Sequence, residues 1–265
     1  MGLFQGDFYS ESLRMTTQLK VIFPDLSNDV TPVMEGEPRV LYLLHGLAAN
    51  SGEWTRFSKI EYYAKKYNFI IIMPEVQRSF YCDSRSGPRY FTYVADELPR
   101  ICNQWFRLSG RREKTFIAGE SMGGYGAVKI GLRRPRQFGG IASLSGVLDY
   151  PGMARRILEG VWPDVAPEEL TALHGPGGMP GPEEDVIALV RRAAADPLRP
   201  RLIQLCGTED FLYKMNLSVR DQLRAMNVDL TYDESGGIHN WDYWDPQIRK
   251  VLEWLPLAGT LVDGE

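Results

Sequence analysis

Five short, nearly unbroken apolar runs, separated by stretches of helical periodicity, set the strongest limit on how this chain can fold. They are 39–44 (RVLYLL), 69–73 (FIIIM), 115–119 (TFIAG), 140–144 (GIASL) and 201–206 (RLIQLC). A strand with one wet face alternates apolar and polar side chains, whereas a strand covered on both faces is apolar throughout. Between these runs, residues 53–67, 96–108, 125–134 and 216–227 repeat apolar side chains at helical spacing. The alternation predicts an α/β fold, a mostly parallel twisted sheet with helices on both faces. Residues 13–23 (LRMTTQLKVIF) alternate more and predict one or two antiparallel edge strands.

A chain of 265 residues buries about three quarters of its unfolded surface. It therefore needs neither a disulfide nor a metal for stability, and one domain over 1–265 is expected. Thirty basic residues against 34 acidic ones leave a net charge of -4, which argues against a nucleic-acid partner. No run approaches 18 apolar residues, so no membrane span is expected. The first residues, MGLFQGDFYSESLRM, lack the pattern of a signal peptide. Three cysteines (Cys82, Cys102, Cys206) share no close spacing, which suits a reducing, cytoplasmic compartment and yields no metal motif. No cofactor is implied, and assembly into a homo-oligomer is left open.

One segment breaks the alternation. Residues 150–196 contain no strand candidate, only helical pieces near 154–160, 167–173 and 183–195. Within them, 174–182 (HGPGGMPGP) has Gly or Pro at seven of nine positions and must be a loop. Loops at the carboxyl ends of sheet strands usually line α/β sites, so this insertion is expected to form a cap or lid, with the Gly/Pro loop as the mobile part of the pocket wall.

The strongest local signal is Gly119-Glu120-Ser121-Met122-Gly123, a G-x-S-x-G turn between a predicted strand and a predicted helix. In that context the turn exposes a serine nucleophile, and the helix amino terminus behind it favours developing negative charge. A serine hydroxyl needs a base. Of the three histidines, His45 precedes the serine, and His174 precedes the strand that would carry the acid. His239, in the loop after a predicted strand at 228–232, fits the chain order serine, acid, histidine. The acid follows RLIQLC, where Glu209 and Asp210 compete. Asp210 is favoured, with room for one helix and one strand before His239, while Asp149 and Asp233 are less well placed. Two backbone N–H groups should receive the oxyanion, those of Met122 and of Leu47 after the His45-Gly46 turn. Aromatic residues crowd the remaining loops, and Tyr81 and Trp241 are expected to face the pocket.

The stretches FYSESLRMTTQLKVIFP, YLLHGLAANSGEW, GESMGGYGAVKIGLRRP, GTEDFLYKMNL and HNWDYWDPQIRKVLEWL resemble the esterase D or tributyrin esterase-like α/β-hydrolases. That group includes acyl, acetyl-xylan and feruloyl esterases, S-formylglutathione hydrolases and mycolyltransferases. The resemblance implies the α/β-hydrolase fold, with Ser121, Asp210 and His239 as triad and Leu47 and Met122 at the oxyanion positions. It also marks a departure: Glu120 stands where many relatives carry histidine, and it is expected to face away from the reacting hydroxyl. The expected activity is hydrolysis of short-chain acyl esters, acetyl to butyryl, including acetylated or feruloylated carbohydrates, with a small-molecule ester as substrate. The competing readings are an acyltransferase, an S-formylglutathione hydrolase-like thioesterase and a non-catalytic binding protein.

Overall fold

The computed structural model of the chain describes residues 2–25, 36–194 and 196–260. The five apolar runs become β3 (Arg39–Leu44), β4 (Phe69–Pro74), β5 (Thr115–Glu120), β6 (Gly140–Leu144) and β7 (Arg201–Gly207), joined by β8 (Leu230–Ser235). Ahead of them β1 (Gly2–Ser10) and β2 (Met15–Phe23) form an antiparallel hairpin whose turn places Arg14 at φ 55°. The sheet order is β1-β2-β4-β3-β5-β6-β7-β8. Pairing is antiparallel as far as β4 and parallel from β4 to β8.

Side-chain alternation along β3 shows why these strands are apolar throughout. Leu41 and Leu43 enter a core on one face with Trp54, Ile71, Phe116 and Val251, while Tyr42 and Leu44 enter the core on the other face with Ile72, Ile117 and Val128. The helices that close these cores are α1 (Glu53–Phe57), α2 (Ile60–Lys66), α3 (Tyr90–Thr92), α4 (Leu98–Phe106), α5 (Met122–Arg133), α6 (Tyr150–Leu158), α7 (Pro167–His174), α8 (Val186–Ala193), α9 (Tyr213–Ala225) and α10 (Trp241–Thr260).

The winding of the sheet places the site. From β3 the chain passes to β4 on one side, then returns to β5 on the other side of β3. At such a reversal the connections leaving two adjacent strands diverge, opening a crevice at their carboxyl ends. Leu44 of β3 pairs with Gly119 of β5, so Gly46 and Ser121, each two residues further on, leave the sheet at the same level.

Helices α6, α7 and α8 form the insertion between β6 and β7. It is tied to the sheet domain at several points. Lys129 on α5, fully buried, places Nζ 2.5 Å from Glu184 Oε2 and 2.9 Å from the Phe80 carbonyl. Burial alone would raise the Glu184 carboxyl, but Lys129 outweighs it and holds the group down at about 2. Tyr150 stacks on Phe80 at 4.7 Å and its hydroxyl lies 2.8 Å from His174 Nε2. The Arg85 N–H donates to the Leu173 carbonyl at 3.2 Å, and Ser84 Oγ to that of Ala172 at 2.9 Å.

Candidate active site

Ser121 sits between β5 and α5 at φ 54° and ψ -118°, a conformation that side-chain-bearing residues rarely adopt. Its flanking glycines make the turn possible. A Cβ on Gly119 would lie 2.5 Å from the carbonyl of Gly123, and a Cβ on Gly123 would lie 2.5 Å from that of Leu44. Both positions require hydrogen because α5 begins in contact with β5 and with the loop after β3.

Ser121 Oγ lies 2.9 Å from His239 Nε2, and His239 Nδ1 lies 2.8 Å from Asp210 Oδ2. Asp210 is 5% exposed, and its other oxygen accepts the Leu212 N–H at 2.8 Å, which fixes the carboxylate plane. An ionised carboxylate accepts only, so the proton on Nδ1 points to Asp210 and Nε2 is left to accept from the serine hydroxyl. The imidazole is packed by Phe211 at 4.3 Å and edge-on by Trp244 at 4.9 Å. Glu209 turns the other way: it accepts the Gly237 N–H, and its own N–H donates to the Gly237 carbonyl at 3.1 Å. The two carboxylates therefore divide the work, one holding the ring and the other holding the loop that carries it.

The remaining candidates separate in the same manner. His45 is buried, with Nδ1 2.8 Å from the Gly46 carbonyl and Nε2 accepting the Val76 N–H at 3.1 Å. His174 faces the Tyr150 hydroxyl, and burial lowers its pKa. Asp149 caps α6 through the Gly152 N–H, and Asp233 pairs with Lys250 at 2.7 Å.

The serine and histidine open into a cavity of about 400 Å³. Leu47 and Met122 both line it, and among the described residues neither backbone N–H has an acceptor. Trp241 lines it too, edge-on to Trp54 at 5.0 Å. Tyr81 does not. Its ring is fully buried beneath α5, where a Cβ on Gly126 would lie 2.4 Å from it, and its hydroxyl donates to the His45 carbonyl at 2.8 Å. Left-handed backbone at Phe80 and Tyr81 (φ 47° and 53°) gives the pocket position to Phe80 instead. The expected wall is also relocated. Met153, Ile157, Trp162 and Val165 of the insertion line the cavity, and no residue of 174–182 does. The Gly/Pro loop packs beside α6 and α7, with Gly178 against Leu158 and Leu170.

Sequence reasoning missed Phe211, Trp162 and Arg78 as residues of the cavity. Phe211 could have been found, because it directly follows the acid. Arg78 gave no local signal; its guanidinium is engaged by Glu169 at 2.8 Å. Among the described residues no group of His, Cys, Asp or Glu is placed to hold a metal ion, and no helix is long and apolar enough to cross a membrane.

An α/β-hydrolase sheet carrying a serine, histidine and aspartate in hydrogen-bonded sequence at its carboxyl edge defines the class of this protein. The "Putative esterase" family model matches residues 10–255, and the chain belongs to this family of ester hydrolases. It is 31% identical over 266 residues to an acetyl esterase of Caldicellulosiruptor saccharolyticus, covering 96% of this chain and 98% of that protein. Among solved structures it is similar to FphF, a fluorophosphonate-binding serine hydrolase of Staphylococcus aureus (TM-score 0.84, 32% identity, 96% of this chain and 98% of that one). It is also similar to the S-formylglutathione hydrolase FrmB of the same organism (TM-score 0.81, 31% identity, 96% and 98%).

Proposed function

We propose that this serine esterase hydrolyses short-chain acyl esters, acetyl to butyryl, with Ser121 as nucleophile, His239 as base and Asp210 as its orienting carboxylate. The observation that carries the reading is the continuous hydrogen-bonded line from Ser121 through His239 to Asp210, opening into an apolar cavity. Ser121 Oγ attacks the ester carbonyl while His239 Nε2 takes its proton. The oxyanion is received by the N–H groups of Leu47 and Met122, and the amino terminus of α5 adds a favourable field. Collapse passes the proton from His239 to the leaving alcohol and leaves an acyl-serine. Water, deprotonated by the same imidazole, then releases the acid and restores the serine.

Acyl length is limited by the wall. Met153, Ile157 and Trp162 close the cavity on the insertion side, and Trp241 and Trp244 close it on the α10 side. Each methylene buried adds about 0.8 kcal/mol until the wall is reached. kcat/KM should therefore peak between acetyl and butyryl and fall beyond about six carbons.

The electrostatics favour an uncharged ester over a glutathione thioester. Glu53 and Asp164 line the cavity, and among the described residues its one arginine, Arg78, is already engaged by Glu169. A nitrophenyl ester series from acetyl to decanoyl, run beside S-formylglutathione and with added alcohol to detect acyl transfer, tests the substrate assignment. Ser121→Ala should lose at least about 10³-fold in kcat and the single label that a serine-reactive phosphonate places on the wild type. Retention of a tenth of the wild-type kcat would overturn the triad, and decanoyl turnover equal to butyryl would overturn the closed pocket.

A further inference from the structure

Glu120 is the residue immediately before the nucleophile, and its side chain is 2% exposed. It points at the loop after β3, where its carboxyl accepts the N–H of Gly46. A Cβ on Gly46 would lie 2.5 and 2.6 Å from its two oxygens, so loop and carboxyl are in direct contact. Among the described residues no cation pairs with it, and Gly46 is its one hydrogen-bond partner. A buried carboxyl with a single partner is costly to retain unless that partner matters. Here the partner is the residue before Leu47.

We propose that Glu120 is a positioning residue for the esterase reaction: through Gly46 it fixes the turn that presents the Leu47 N–H to the oxyanion. The inference rests on the reading of Ser121 and Leu47 given above. Burial pushes the Glu120 carboxyl up to about 8, against the Gly46 N–H, and Glu53 of α1 acts in the same direction. The Tyr81 phenol faces it from the loop after β4, and Arg78, Asp164 and His239 share the cavity. At neutral pH Glu120 therefore carries its proton. Its carbonyl oxygen accepts from Gly46, and no negative charge stands beside the developing oxyanion. Ionisation at higher pH places a charge there that opposes it.

Two variants and a pH profile test this with nitrophenyl acetate between pH 5 and 10. Wild type should show a falling limb near pH 8. Glu120→Gln, which keeps an acceptor and cannot ionise, should lose the falling limb. Glu120→Ala, which removes the acceptor, should lower kcat by at least about tenfold with KM changed by less than about threefold, and Gln should recover most of that loss. A falling limb retained in Glu120→Gln, or a kcat within about twofold of wild type in Glu120→Ala, overturns the inference. If Glu120→Ala does not fold, the Glu120→Gln profile alone decides. Failure of Ser121→Ala to inactivate would strike the triad instead, so the two failures are distinguishable.

Discussion

At the scale of single residues, adjacent carboxylates with the same chemistry do different things because the backbone aims them differently. Asp210 is buried and faces the imidazole, whereas Glu209 is exposed and holds the Gly237 N–H. Gly207 lets the two loops meet, since a Cβ there would lie 2.2 Å from the Gly237 carbonyl. Asp210→Asn should therefore cost about 10³- to 10⁴-fold in kcat, because an amide no longer selects the tautomer that leaves Nε2 free to accept. Glu209→Gln keeps an acceptor for Gly237 and should cost less than about threefold. Measured kcat values in the reverse order would mean that the wrong carboxylate orients the histidine. That Ser121, His239 and Asp210 would come together was legible because chain order and the strand ends leave few alternatives. Tyr81 was misread because its direction depends on two left-handed residues and on the space that Gly126 leaves under α5, neither of which produces a periodic signal.

At the scale of elements, periodicity identified the buried strands well and the edges poorly. The hairpin strand β1 (GLFQGDFYS) is largely exposed and interrupted by Gly6, so it lacks the apolar run by which β3 to β7 announce themselves. The helix read over 53–67 divides into α1 and α2, which are separated by two residues. The insertion was recognisable as a break in the alternation, but composition pointed to the wrong part of it. A Gly/Pro-rich loop reads as mobile, yet wall residues are chosen by which helix faces the strand ends, and that is α6 with the turn after it. Trp162 packs against Phe211 with the rings tilted and their centroids 5.0 Å apart, closing the cavity beside the histidine. Trp162→Ala should raise kcat/KM for hexanoyl and octanoyl esters several-fold relative to acetyl. Removing residues 178–181 should leave the acyl-length profile within about twofold of wild type. A broadened profile from the loop deletion, with none from Trp162→Ala, would return the wall to the Gly/Pro loop.

At the scale of the whole molecule, the buried carboxyls set how stability follows pH. Glu184 is held at about 2 by Lys129 despite its burial. Glu97 is also lowered: burial works against it, but the side chains of Ser10 and Ser12 and the N–H groups of Glu11 and Ser12 prevail. Both groups are more acidic in the folded chain than unfolded. Their contribution is complete above the unfolded value near 4.5 and is lost as pH falls below it, in the case of Glu184 toward about 2. Glu120 has the opposite sign. Its folded value of about 8 lies above the unfolded 4.5, so the fold keeps a proton that the unfolded chain gives up. Its contribution to stability is then full below 4.5 and declines as pH rises to about 8, beyond which this group causes no further change. While only the unfolded chain has released that proton, the slope approaches about 1.4 kcal/mol per pH unit. Unfolding by urea at pH 5.5, 6.5 and 7.5 should thus show wild type losing stability as pH rises. Glu120→Gln should flatten that decline, because an amide has no proton to keep. The same acid-side loss should remain in the variant, since Glu184 and Glu97 are untouched. Equal slopes for wild type and Glu120→Gln across this range would show that Glu120 is ionised in the folded protein at neutral pH, with its negative charge standing beside the oxyanion loop.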